Sequence, residues 1–251
     1  MSMAIEIPSV RANGAAAAPP EVSIVMPCLN EVRTVGACVD QVFAALRRLG
    51  IEGEVLIADN GSMDGSQAAA RHRGATVVDV PSKGYGNALQ GGIAAARGTY
   101  VIMGDADASY DFGQMGPFLE RLRAGDDLVV GNRFAGGIRP GAMPWLHRYV
   151  GNPLLTGLLN LLFSTRLGDA HCGLRGFRLD AFKRLHTATS GMEFASEMIV
   201  RASLQKQRIS QVPATLHPDG RDRPPHLRSF RDGWRHLRFL VLMRMTRRNG
   251  G

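Results

Sequence analysis

Aromatic residues make up only 6% of the 251 positions, and no nucleic-acid-binding motif is recognisable. Base-stacking platforms are correspondingly few, which argues against an RNA- or DNA-binding role. Cysteine is scarce too: Cys28, Cys38 and Cys172 form an odd number with no CxxC pair. That pattern predicts reduced thiols in a cytoplasmic protein. No uninterrupted apolar stretch reaches the roughly 18–20 residues of a membrane span. The nearest candidate, residues 153–163, is too short. The amino end also lacks the charged-then-apolar plan of a signal peptide. These absences predict a soluble or membrane-peripheral protein, in the cytoplasm or at the cytoplasmic face of a membrane.

Glycine is plentiful, at 30 residues, and the formal charge is +8. A basic balance suits an anionic lipid or a phosphate-rich ligand once nucleic acid is set aside. Residues 1–20, with four consecutive alanines and Pro19-Pro20, read as a disordered tail. From residue 21 onward short apolar strands alternate with helical periods. Strands are expected at 22–26 (stopped by Pro27), 54–58, 76–80, 100–103 and 127–130. Helices are expected at 34–49, 66–73, within 84–97, at 145–163 with a break near Gly151-Asn152-Pro153, at 192–204 and at 229–244. The alternation predicts one α/β domain, 21–251, with a mostly parallel, Rossmann-like sheet flanked by helices. Polar clusters follow the strands repeatedly: Asn30-Glu31, Asp59-Asn60 and Asp105-Ala106-Asp107. Ligands in open α/β sheets bind outside the carboxyl ends of strands, so these clusters are expected to line one crevice.

Asp105 and Asp107 are two carboxylates one residue apart, directly after a buried strand. Magnesium and manganese accept such oxygen ligands, and a cation held there offsets the charge of a departing diphosphate. A polar loop with a capping aspartate is the plainer alternative for this pair alone.

The wider pattern resembles the family 2 glycosyltransferases. Val22-Ser23-Ile24-Val25-Met26-Pro27-Cys28-Leu29-Asn30-Glu31 is similar to their opening strand and loop. Asp59-Asn60-Gly61-Ser62-Met63-Asp64-Gly65-Ser66 resembles their DDGSxDGS turn, and Lys83-Gly84-Tyr85-Gly86-Asn87-Ala88 their KGxGxA segment. Asp105-Ala106-Asp107 completes the series in order. The resemblance is strongest to polyprenyl- and dolichol-phosphate mannose or glucose synthases and their bacterial relatives. It implies a GT-A fold, a donor half at about 21–130 and an acceptor half at about 131–251. It also implies an NDP-sugar donor with Mg2+ or Mn2+ at Asp105 and Asp107. By the same resemblance Pro27, Glu31, Asp59, Asn60, Lys83, Gly84 and Ala106 belong to the donor pocket. Leu29 departs from a common Tyr and Asn60 from the second Asp. Ser109 stands where some relatives place a Gln near the metal.

For the acceptor half, Gly131-Asn132-Arg133-Phe134 resembles the family's GSRY/F segment, whose Arg lies near the acceptor phosphate. Residues 169–178 resemble its DxxxGxR region, where His171 is expected to be structural. Arg148, Arg221, Arg223, His226 and Arg228 supply further charge to an anion, since the guanidinium fork fits phosphate. Glu193 and Glu197 share one helical face, and either becomes a general base beside Asp107 if the acceptor is a hydroxyl. The basic, partly apolar segment after residue 229 reads as an amphipathic helix at an anionic membrane surface or as a helix packed on the domain. The resemblance implies inverting transfer to a polyprenyl phosphate. A soluble hydroxylated small molecule as acceptor, and a catalytically silent sugar-nucleotide-binding or membrane-docking protein, are the alternatives.

Overall fold

A computed structural model describes residues 19–221 and 229–248. Residues 1–18 of the expected tail, and Arg223, His226 and Arg228 of the expected acceptor set, lie outside the described residues. β1 (Val22–Cys28) leads through α1 (Val35–Leu49) to β2 (Gly53–Asp59), α2 (Ser66–His72), β3 (Thr76–Asp79), α3 (Tyr85–Ala94) and β4 (Tyr100–Met103). A 3-10 turn (Phe112–Met115) and α4 (Gly116–Arg123) precede β5 (Leu128–Asn132) and the short α5 (Arg133–Gly136). One π-helical turn (His147–Gly151) runs into α6 (Asn152–Phe163). The chain then forms β6 (Arg175–Arg178), α7 (Leu179–Leu185), α8 (Phe194–Leu204), β7 (Ile209–Pro213) and α9 (Ser229–Arg248).

The seven strands form one sheet in the order β3-β2-β1-β4-β6-β5-β7. Pairings β1–β2, β1–β4, β2–β3 and β5–β7 are parallel, and β6 is antiparallel to both β4 and β5. β1, β2, β4 and β5 read as continuous apolar runs because helices cover both faces of the sheet. α1 buries Val35, Val39, Val42 and Leu46 on one stripe and stops at Gly50, whose φ of 63° closes a left-handed cap.

Pro27 does not stop β1 as expected. β4 pairs with β1 only as far as Val25, so the proline sits where one flank of the strand is free and its missing N–H costs no ladder bond. Cys28, Cys38 and Cys172 are unpaired and buried. Burial pushes their thiols up, to about 11 for Cys28 and Cys172 and about 12 for Cys38.

Candidate active site

The strand order runs outward from β1 in both directions, so a crevice opens at the carboxyl ends of β1 and β4. Glu31 follows β1, Asp59 ends β2, and Asp105 and Asp107 follow β4. The fold thus gathers residues that lie far apart in sequence.

Hydrogen bonds hold the loop after β1 against the turn after β2. Ser62 Oγ accepts from Asn30 N at 2.8 Å, and Ser66 Oγ from Glu31 N at 2.7 Å. Asn30 Oδ1 accepts from Met63 N at 2.8 Å. Asn30 adopts a φ of 57°, which an Asx side chain tolerates by bonding locally. Asp59 Oδ2 accepts from Gly61 N, Ser62 N and Gln67 Nε2 at 2.8–3.0 Å. Burial pushes the Asp59 carboxyl up, but those donors outweigh it and hold it below its ordinary value. Its other oxygen, Oδ1, is buried without a partner. A buried carboxylate oxygen left open in a ligand crevice fits an N–H or O–H of a nucleoside.

Asn60 does a different job. Its amide donates to the Val80 and Ser82 carbonyls at 2.9 and 2.8 Å, while its Oδ1 accepts from Gly84 N at 2.8 Å. An ionised Asp cannot donate, so the departure from DDGS follows from what this side chain must hold. Asn60 shapes the 80–84 loop, and Lys83 Nζ donates to the Asn60 carbonyl. Gly84 has a φ of 131°, and a Cβ there would lie 2.2 Å from the Ser190 carbonyl oxygen. That oxygen accepts from Gly86 N at 2.9 Å. Pro27 sits one residue before the end of β1, beside Ala58 of β2.

Asp107 is buried and Asp105 half-buried, with the buried Ala106 between them. Ser109 Oγ and N both donate to Asp107 Oδ1, at 2.6 and 3.0 Å. Ala108 between these two residues has a φ of 64°, a conformation that non-glycine residues seldom adopt. Tyr85 lies beside Asp105 and favours its charged form. Burial and the Asp107 charge push the Asp105 carboxyl up to about 7, although Arg221 and Tyr85 pull it down. Two carboxylates that repel each other in a poorly solvated crevice favour a cation. No group of three or more His, Cys, Asp or Glu among the described residues is disposed to hold a metal by itself. An ion bound here must complete its shell with ligand and water oxygens, as magnesium and manganese readily do. The all-oxygen donor set fits those ions.

Arg221 enters this cluster from the far end of the chain. Its Nε donates to Glu31 Oε1 at 2.8 Å and its Nη2 lies 2.9 Å from Asp107 Oδ2. Expected at the acceptor, it here pairs with Glu31 and Asp107.

The remaining candidates separate clearly. Arg133 is buried, and its Nε and Nη2 grip Asp169 at 2.6 and 2.9 Å. Those nitrogens are committed within the protein rather than offered to an anion. Arg148 lies over the Tyr149 ring, 5.3 Å from its centroid, in the segment before α6. Glu197 is buried and accepts from Ala188 N, Thr189 N, Thr189 Oγ1 and Arg201 Nε. With both oxygens engaged and its carboxyl held below the ordinary value, Glu197 secures the 188–189 loop and is a poor proton acceptor. Glu193 differs: Arg235 Nη2 donates to its Oε1 at 2.6 Å, and its Oε2 is buried without a partner. His171 is packed edge-on against His236, with ring centroids 5.0 Å apart. Burial and His236 push it well below the ordinary value, so it is a neutral structural imidazole.

Sequence reasoning missed Tyr85 and Arg175. Arg175 is fully buried, and its guanidinium donates to the Cys172, Ala195 and Ala170 carbonyls. It ties β6 to α8 behind the site.

A mostly parallel α/β sheet with a carboxylate pair after its central strand is the architecture of the GT-A fold. The chain belongs to glycosyl transferase family 2, whose profile matches residues 23–186. It is 44% identical over 224 residues to the low-salt glycan biosynthesis hexosyltransferase Agl6 of Haloferax volcanii. That alignment covers 89% of this chain and 54% of Agl6, so the chain spans about half the length of that relative. It is also 27% identical over 194 residues to the dolichyl-phosphate hexose transferase of Haloferax volcanii, covering 77% of this chain and 81% of that one. Among solved structures it is similar to glucosyl-3-phosphoglycerate synthase from Mycobacterium tuberculosis in complex with Mn2+, UDP and phosphoglyceric acid. The TM-score is 0.67 at 23% identity, covering 91% of this chain and 78% of that one, and establishes the shared fold.

Proposed function

We propose that this chain catalyses metal-dependent, inverting transfer of a sugar from an NDP-sugar to a polyprenyl phosphate. The observation that carries the donor side is the convergence of Glu31, Asp59, Asp105 and Asp107 on one crevice. Asp105 and Asp107 hold the divalent ion. When bound, that ion neutralises the diphosphate and makes it a better leaving group. Asp59 Oδ1 receives the nucleoside, and the loop held by Asn60 presents Lys83 and Gly84 to the donor. An oxygen of the acceptor phosphate attacks the anomeric carbon, the bond from that carbon to the diphosphate oxygen breaks, and NDP departs. Such an acceptor is already anionic and needs orientation more than a base.

Two features support a lipid acceptor. The family relative named a dolichyl-phosphate hexose transferase is one. The other is the surface beyond β5. Trp145, Leu146, Tyr149, Val150, Leu154 and Leu161 are exposed, with Leu161 at 78%. The last three recur at helical spacing along one stripe. α9 packs beside α6 and exposes Trp234, Val241 and Met245 at the same spacing. No acidic residue occurs between Asp127 and Asp169, while Arg133, Arg139, Arg148 and Arg166 do. Apolar stripes with aromatic and cationic neighbours suit peripheral contact with an anionic lipid surface. No described helix is long and apolar enough to cross a membrane.

A soluble hydroxylated acceptor is the second reading, favoured by the buried Oε2 of Glu193, which has no hydrogen-bond partner and would be open to a proton. The deciding experiment offers a panel of NDP-sugars with polyprenyl phosphate or with uncharged alcohols, and identifies products by mass. Glycosylated polyprenyl phosphate is expected. Turnover with alcohols alone would overturn the lipid-phosphate reading.

A further inference from the structure

Arg221 is delivered to the donor carboxylates by a built strap. Leu216 pairs with Tyr110 in an antiparallel bridge. His217 N donates to the Ser109 carbonyl at 2.9 Å, and Gly220 N to the Asp107 carbonyl at 2.8 Å. Gly220 is pressed so close that a Cβ would lie 2.7 Å from Thr34 Cγ2. The strap thus runs along the loop that carries Asp107, and its end sets one guanidinium across Glu31 and Asp107. The Arg221 side chain is only 15% exposed, so solvent screens these pairs weakly.

Among the described residues, Arg221 pairs with both Glu31 and Asp107. Ser109 donates twice to Asp107 Oδ1, which leaves Oδ2, 2.9 Å from Arg221 Nη2, as the oxygen for a cation. A divalent ion at Oδ2 is repelled by the guanidinium beside it, so the two cations compete for that oxygen. A displaced guanidinium stays tethered within reach, where an arriving diphosphate offers it a bidentate partner.

We propose that Arg221 is a tethered counter-cation that competes with the divalent ion for Asp107 and transfers to the donor diphosphate when ion and donor bind together. The inference rests on the metal-and-donor reading above. It makes the free ion a weak ligand and the ion–diphosphate pair a strong one, so loading is cooperative.

The test measures Mn2+ binding to the full chain by electron paramagnetic resonance, first with Mn2+ alone and then with inorganic pyrophosphate. Arg221→Gln is expected to bind Mn2+ alone roughly tenfold more tightly than the unaltered chain, as loss of one charged competitor implies. With pyrophosphate present it is expected to bind roughly tenfold more weakly. Arg221→Lys keeps the charge without the fork and should fall between on both counts. A merely structural arginine would not raise affinity for the free ion when removed, and thermal melting checks that each variant folds. Unchanged or weaker Mn2+ binding by Arg221→Gln overturns the proposal. Asp107→Asn separates that failure from failure of the metal reading. If the unaltered chain binds Mn2+ and Asp107→Asn does not, only the Arg221 role is lost. If the unaltered chain binds none even with pyrophosphate, both fall.

Discussion

Acidic side chains gather after β1, β2 and β4, whereas the stretch between Asp127 and Asp169 has none and exposes apolar groups instead. The first region ties Asp59 Oδ2, Asn60 and Asp107 Oδ1 into hydrogen bonds and leaves Asp59 Oδ1 buried without a partner. The second buries its one charged pair, Arg133 with Asp169, and turns tryptophan, tyrosine and leucine outward. On the proposed reading, the contrast is that between a small polar donor, met by convergent buried groups, and a long apolar acceptor, met by surface.

Four measurements break or sharpen that contrast. The largest effect is expected at Asp107. Asp107→Asn should cut sugar transfer roughly a thousandfold, as losing a metal ligand in the transition state implies, with little change in melting temperature. Full activity in this variant, or in excess chelator, would remove the acidic cluster from the chemistry. Next, Asp169→Ala strands the buried Arg133 guanidinium and should cost about 3–5 kcal/mol in denaturant unfolding. A loss under about 1 kcal/mol would mean that water reaches this pair.

Glu197→Gln should cost about 2 kcal/mol at neutral pH, because Thr189 and Arg201 lose a charged acceptor. The folded-state Glu197 carboxyl lies below its ordinary value of 4.5. Its contribution is therefore complete above that value and disappears as pH falls through the lowered folded value. Unfolding curves of the two proteins should converge in acid, and a gap that persists there would assign the loss to packing. The smallest effect on stability is expected from Trp145→Ser combined with Leu161→Ser, within about 0.5 kcal/mol. The same variant should bind vesicles rich in phosphatidylserine several-fold more weakly. Unaltered vesicle binding would detach this surface from any lipid.

β1, β2, β4 and β5 were legible because each is a continuous apolar run, and the loops that follow them carry local motifs. β6 was not. Its sequence, Arg-Gly-Phe-Arg, has no apolar period, and it forms a strand because Arg175 finds three carbonyls supplied by α8 and the preceding loop. β7 hides similarly behind Ser210, Gln211 and Pro213. In the site, the motif order singles out Asp59, Asp105 and Asp107, which end or follow strands at the carboxyl edge of the sheet. The spacing of Glu193 and Glu197 could not tell them apart, because their difference lies in what surrounds them: four donors saturate Glu197, and Arg235 takes only one oxygen of Glu193. Arg221 reaches Asp107 across more than a hundred residues, a contact that no local pattern encodes.

The three interior cysteines have a practical consequence. Each thiol is shielded, and its thiolate form is suppressed near neutral pH, so maleimides should leave the native protein unlabelled. A cysteine introduced at exposed position 161 then becomes the single reactive handle on an otherwise unmodified chain. An environment-sensitive fluorophore attached there reports, by the colour of its emission, whether that helix meets water or hydrocarbon.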